Sequence, residues 1–227
     1  MTQPLDDATL LEDGLMAPLP AGLADARVML IACGALAREI LALKRLNGWT
    51  HVDLECLPAR LHNRPDQIPG LVRARARAAR ARGYGRILAV YADCGTGGRL
   101  DAVCAEEGIE RIPGPHCYAF YDGLAAFEAR GEAEMGAFYL TDFLARQFEA
   151  LVWRGLGMHR HPELRDLMFA HYDRLVYLAQ TDDPALDAQA RRAAELLELR
   201  YERRFTGYGE LATHLAAAAA ARRREAA

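Results

Sequence analysis

Apolar residues alternate with amphipathic stretches along most of this chain. Arg27–Ala32 carries an unbroken run, Val28-Met-Leu-Ile-Ala32, as expected for a strand buried on both faces. Over 34–46, Leu36, Ile40, Leu41 and Leu43 fall on one side of a helix, with Arg38, Glu39 and Lys44 on the other. The same logic predicts strands over 52–57, 86–92 and 110–112. It predicts helices over 67–82, stopped by Gly83, and over 98–107, ended by a C-cap glycine at Gly108. The second half repeats the alternation less cleanly. Strands are predicted over 136–140, 175–179 and 200–205. Helices are predicted over 143–155 (capped by Thr141 or Asp142), 163–172 (led by Pro162), 184–197 (capped by Asp182 or Asp183) and 209–224.

Strand–helix alternation of this kind implies parallel strands joined by right-handed crossovers. The expected fold is α/β: an open, mainly parallel, Rossmann-like sheet with helices on both faces. Residues 1–25 read as a loosely structured lead-in and 26–215 as a single α/β domain. Whether 26–130 and 131–215 form two similar lobes or extend one sheet stays open at this point. Residues 216–227 end the chain as an Ala/Arg-rich helix terminus.

Three strands run out at cysteines. Cys33 ends the first, Cys94 ends Ile87-Leu-Ala-Val-Tyr-Ala-Asp-Cys, and Cys117 follows Arg111-Ile-Pro-Gly-Pro-His. Carboxyl ends of parallel strands share one edge, where open α/β sheets place their ligands. Thiolates suit zinc and iron–sulfur chemistry, and three protein ligands leave one coordination position open. The metal candidates are therefore Cys33, Cys94 and Cys117, holding an iron–sulfur cluster or zinc. A reactive-thiol pocket and plain hydrophobic packing are the competing explanations. Cys56 and Cys104 read as packing.

The turn Asp93-Cys-Gly95-Thr96-Gly97-Gly98 leads from strand into helix, so its N–H groups are expected to cradle an anion or cofactor. His62 and Arg64 sit in the loop after the second strand, where they could bind an anionic substrate. With Asp93, His116 and Tyr208 they complete the candidate catalytic residues.

Composition narrows the picture. The chain is 52% hydrophobic and 26% charged with net charge −3, which gives no electrostatic case for nucleic acid. The arginines at 73, 75, 77, 80 and 82 and at 222–224 read as a solvated helix face and a frayed tail. Without a spanning segment or a signal-like start, a cytoplasmic protein is expected, and five cysteines then point to free thiols, ligands or redox groups. The chain contains no serine, so a serine hydrolase is excluded.

Several motifs taken together resemble the family known as domain of unknown function 1638. They include Ile31-Ala-Cys-Gly-Ala-Leu36, Leu57-Pro-Ala-Arg-Leu-His-Asn-Arg-Pro65, Tyr91-Ala-Asp-Cys-Gly-Thr-Gly97, Gly114-Pro-His-Cys-Tyr118, Leu140-Thr-Asp-Phe143, His161-Pro-Glu-Leu164, Val176-Tyr-Leu-Ala-Gln180 and Thr206-Gly-Tyr-Gly209. The resemblance spans about Val28 to Leu215. It implies Cys33, Cys94 and Cys117 as the motif cysteines, with His62, Arg64, Asp93, His116, Asp142 and Tyr208 around them. It also implies corrinoid-linked methyl-transfer (one-carbon) metabolism, with a small-molecule substrate and a corrinoid protein or methyltransferase as partners. The alternatives are an accessory or ligand-binding module that docks a corrinoid protein, and a metal-free enzyme with Cys94 as nucleophile and His62 or His116 as base.

Overall fold

The computed structural model describes residues 5–17 and 27–220. These residues fold as mixed α/β with two parallel sheets, each flanked by helices, in two compact units: one formed by the chain up to Cys117 together with the stretch from Leu211 onward, the other by Tyr118–Glu210. Arg222, Arg223 and Arg224 lie outside the described residues. Among the described residues no helix is long and apolar enough to cross a membrane.

In the first unit, β1 (Val28–Cys33), β2 (Val52–Leu57), β3 (Arg86–Val90) and β4 (Glu110–Arg111) make one sheet in the order β2-β1-β3-β4, every pair parallel. The register sets Val28 between Val52 and Arg86, and Ala32 between Cys56 and Val90. The chain leaves β1 for β2 on one side and returns past it to β3 on the other. That reversal makes the carboxyl ends of β1 and β3 a topological switch point, where the crossovers diverge and leave a crevice. The connections are α2 (Ala37–Leu46), α3 (Ile68–Ala81) and α4 (Arg99–Glu107).

Four local expectations need correction. The lead-in is structured where it is described. α1 (Asp7–Glu12) is capped by Asp6, whose carboxylate accepts from Thr9 N at 3.1 Å, and it buries Leu10 and Leu11. Leu15 then pairs antiparallel with Cys56, N to O at 2.9 and 2.8 Å, which covers the otherwise open edge of β2. Gly14, at φ 80°, makes this approach possible, since a Cβ there would lie 2.1 Å from the Cys56 carbonyl oxygen. Second, the α3 arginines are not merely solvated. Arg73 and Arg77 pair with acids of α4, Arg77 reaching Glu107 at 2.8 Å, while Arg80 donates to the Glu107 carbonyl at 2.6 Å. The alternating pattern therefore clamps two helices together. Third, Arg82 pairs with Glu55, a carboxylate buried in β2. Fourth, Glu39, expected on the outer side of α2, is buried near Cys56.

At the amino end of this sheet, Asp53 is nearly buried. It accepts from Arg27 Nε at 2.5 Å, Arg27 Nη2 at 2.6 Å and the Tyr84 hydroxyl at 2.7 Å. The C-terminal helix α10 (Gly209–Ala220) also contributes here, where the Ala219 carbonyl meets His51 Nε2 at 3.2 Å.

The second unit orders β5 (Ala137–Leu140), β6 (Arg174–Ala179) and β7 (Arg200–Phe205) consecutively, all parallel, with no switch point. Two short helices unforeseen from sequence, α5 (Ala119–Asp122) and α6 (Leu124–Arg130), precede them, separated and ended by Gly123 and Gly131 at positive φ. The single helix expected over 143–155 is instead α7 (Asp142–Arg146) followed by a π-turn at Glu149–Trp153. α8 (Glu163–Met168) stops short of the predicted Tyr172, and α9 (Pro184–Leu197) is capped by Asp183.

Burial alone would raise the Asp53 pKa. The Arg27 and Tyr84 hydrogen bonds outweigh it and hold the carboxyl below its usual value. A depressed folded-state pKa adds stability above the unfolded carboxyl value of about 3.9, and that stability is lost as pH falls through the folded value. Asp53→Asn is therefore expected to lower unfolding stability by about 2 kcal/mol near neutrality, because Arg27 loses its counter-charge. The gap to wild type should narrow in acid. Chemical denaturation across pH measures it, and a gap that stays constant into acid would refute the assignment.

Candidate functional site: a thiol cluster at the sheet's carboxyl edge

The loops after β3 and β4 are stitched together by backbone. Asp93 N donates to Gly114 O at 2.9 Å and Cys94 N to Pro115 O at 2.8 Å. These bonds continue the β3·β4 pairing beyond both strands and hold residues 93–94 against 114–115. The result is a Cys94 Sγ to Cys117 Sγ separation of 3.0 Å, too long for a disulfide of about 2.05 Å. Cys94 adopts φ 48°, a left-handed conformation uncommon for a residue with a Cβ.

Cys33, at the end of central strand β1, is buried beside this pair; its charge is felt by Cys117, and it feels the charge of Cys94. Cys56 lies one strand further, paired across the register with Ala32. Tyr91 follows β3 and is fully buried, and burial together with the charges of Cys33, Cys117, Cys56 and Cys94 pushes its phenol upward. Its O–H lies near enough to Cys33 to favour that thiolate. The contact still falls short of a hydrogen bond, so a buried donor is left unsatisfied among four sulfurs. Sequence reasoning overlooked Tyr91. The signal was a hydroxyl-bearing side chain within an otherwise apolar run leading to a cysteine.

The thiols are electrostatically unequal. A hydrogen bond from the Cys117 S–H lowers the Cys94 pKa against the opposing effect of burial. That bond, burial and the nearby Cys94 charge push Cys117 well up. Burial pushes Cys33 up to about 12. The first proton thus leaves from Cys94 while Cys117 keeps its own. Cys104 is buried in α4 and has the packing role expected of it.

The glycine-rich turn departs from expectation. Its N–H groups turn inward onto Asp93. The carboxylate accepts from Thr96 Oγ1 at 2.8 Å, Gly98 N at 2.8 Å and Gly97 N at 3.1 Å. Those bonds, led by the one from Gly98, hold the Asp93 carboxyl below its ordinary value. Gly97 and Gly98 therefore have no N–H left to offer a cofactor, and Asp93 is a capping residue that shapes the Cys94 turn.

The loop after β2 joins the same edge. Pro65 packs beside Gly95, such that a Cβ on the glycine would meet the proline ring at 3.5 Å. Burial, then the charge of His116, lowers the His62 pKa, and burial lowers that of His116. His62 is nevertheless exposed by surface area. Contact with water governs there, because it stabilises the imidazolium and softens the shift. Arg64 is exposed on the same loop. Asp142 and Tyr208 belong to the second unit. The Asp142 carboxylate is fully engaged there by Tyr177 Oη at 2.7 Å, Gln180 N at 3.0 Å, and Thr181 N and Oγ1 at 3.0 and 2.6 Å.

Among the described residues no three His, Cys, Asp or Glu side chains already stand in metal-holding geometry. The preassembled element is the Cys94–Cys117 pair, with Cys33 set beside it.

Fold and site together define a parallel α/β protein whose first sheet carries clustered thiols at its switch point. A family model described as "Protein of unknown function (DUF1638)" matches residues 56–215, and the chain belongs to that family. The matched region contains Cys94 and Cys117 but begins after Cys33, later than the Val28 start expected from the motifs. No curated protein and no solved structure matches the chain.

In metal-free protein, Cys94 is expected to be alkylated by iodoacetamide first, with a pH midpoint below that of an ordinary thiol. Cys117→Ala should shift the midpoint upward by removing the donor that lowers it. Peptide mapping of the alkylated sites checks this, and an unchanged midpoint would contradict the coupling. Asp93→Ala is expected to cost about 1 kcal/mol through loss of the cap. Urea denaturation measures that cost, and wild-type stability would show the cap to be dispensable.

Proposed function

We propose that the chain is a thiolate metalloprotein in which Cys94 and Cys117, with Cys33 as third arm, hold zinc or an iron–sulfur cluster with one position open. The observation that carries this reading is the 3.0 Å approach of two sulfurs at the switch point. Two further features fit it. The buried Tyr91 hydroxyl lacks an acceptor and faces the sulfurs, so thiolates or sulfide would satisfy it. The Cys94 thiolate is favoured before any metal arrives. Tetrahedral zinc with Zn–S near 2.3 Å sets sulfurs about 3.8 Å apart, so Cys94 and Cys117 would have to separate by under 1 Å, and Cys33 would supply the third sulfur. Zinc would supply Lewis acidity toward a substrate thiol, and a cluster would supply electrons or an open iron.

The chain's own residues set the surroundings. Asp93 fixes the Cys94 turn, Tyr91 offers a hydrogen bond to sulfur, and His62 and Arg64 offer a solvent-facing binding edge for an anionic small molecule. Corrinoid-linked methyl transfer is the context the family resemblance suggests, with a corrinoid protein or methyltransferase as partner.

A second reading is a metal-free thiol enzyme with Cys94 as nucleophile, favoured by its lowered pKa and its exposure relative to Cys33. Burial lowers the His116 pKa and favours its neutral form, so in this reading it is the imidazole that takes the proton, because His62 is more open to water.

Anaerobic reconstitution with iron and sulfide, and separately with zinc, distinguishes the two. Wild type is expected to retain one metal complement after desalting. Cys94→Ala and Cys117→Ala should lose it, Cys33→Ala should weaken it, and Cys104→Ala should behave as wild type. Wild type that retains neither metal would reject the metalloprotein reading and leave the thiol enzyme.

A further inference from the structure

The first unit also carries a cavity at the opposite, amino end of its sheet. It measures about 800 Å³, within the size range of small-molecule sites. Its wall includes Arg27, Arg38, Lys44, Arg45 and Trp49, with Leu41 and Val52 supplying apolar surface.

The charges on this wall divide into committed and uncommitted groups. Arg27 is bound to Asp53 and to the Thr50 carbonyl at 2.8 Å. Arg38 is bound to Asp7 at 2.6 Å and to the Leu5 carbonyl at 2.7 Å. Each of these guanidinium groups is neutralised by one carboxylate. Lys44 and Arg45 are different, since among the described residues neither side chain makes a hydrogen bond or ion pair. Lys44 is half-buried, and burial lowers its pKa against the weaker pull of Asp53, a carboxylate already occupied by Arg27 and Tyr84. A half-buried ammonium without a partner is unusual, because desolvation penalises it. The indole N–H of Trp49 is likewise without a partner among the described residues.

Among the described residues the cavity therefore presents two cations without an ion-pair partner and an indole donor without an acceptor, with no uncommitted acid among the residues named on its wall. The carboxyl end of α2 opposes an anion through its carbonyl dipoles. Two of those carbonyls are already engaged, Leu43 O by Asn47 N at 3.1 Å and Lys44 O by Trp49 N at 3.0 Å.

We propose that this cavity binds a phosphate monoester bearing a flat ring, the nucleoside monophosphate class. A phosphate monoester carries nearly two negative charges at neutral pH, which matches the two cations left over. Lys44 and Arg45 take the phosphate, and Trp49 with Leu41 and Val52 takes the ring. The site is separate from the thiol edge and does not depend on what that edge binds.

Calorimetric titration of the full chain with AMP, inorganic phosphate and adenosine at low ionic strength tests the assignment. AMP is expected to bind, with phosphate weaker and adenosine weakest, and added salt should weaken AMP binding. Lys44→Met keeps the stem and removes the charge, so it should weaken AMP binding about tenfold while leaving the thermal melt cooperative. If that variant melts abnormally, Arg45→Gln on the exposed rim takes its place, with the same loss of affinity expected. No heat with AMP up to millimolar concentration, or wild-type affinity in the properly folded charge variant, would overturn the proposal. Metal retention at Cys94 and Cys117 should be unchanged in both variants, so failure here and failure at the thiol site are read independently.

Discussion

Two backbone hydrogen bonds, Asp93 N to Gly114 O and Cys94 N to Pro115 O, hold the candidate chemistry in place. They act after strands β3 and β4 have ended, where side chains would otherwise diverge. Once residues 93–94 are fixed against 114–115, the two sulfurs stay within reach of each other, and side-chain rotation alone adjusts their spacing. The Asp93 carboxylate reinforces this from within by tying down the turn that follows. The left-handed backbone at Cys94 is consistent with a conformation set by its surroundings and not by its own preference.

The sheet places the third sulfur. Because the strand order runs β2-β1-β3-β4, the crossovers from β1 and β3 depart in opposite directions. Cys33 therefore lies at the floor of the switch point beside the Cys94 turn. The second unit, with its strands in simple sequential order, has no such reversal. Its carboxyl edge is instead filled by Asp142 and the groups that donate to it, an arrangement suited to stability.

The two ends of the first sheet differ in electrostatic character. The carboxyl end gathers sulfur and neutral imidazole, which suits soft ligands. The amino end gathers arginine, lysine and indole, which suits a hard, polyanionic one. One four-stranded layer thus separates two chemically distinct environments, each built from loops that the crossovers leave free.

The sequence by itself determined most of the elements. Unbroken apolar runs located β1, β3 and β6, and the capping signals of Thr141, Asp183 and Gly108 placed three helix ends. These are local effects, set by side-chain pattern and backbone preference. The cysteines at strand ends were visible for the same reason. Pattern alone misjudged groups whose partners are distant in sequence. The α3 arginines meet acids on α4, Glu39 turns inward near Cys56, and the glycine-rich turn spends its N–H groups on Asp93. Only the tertiary structure decided the Cys94–Cys117 approach, the unsatisfied Tyr91 hydroxyl and the leftover charge of Lys44. Each depends on which loops the parallel strand order brings together, and no local propensity encodes that order.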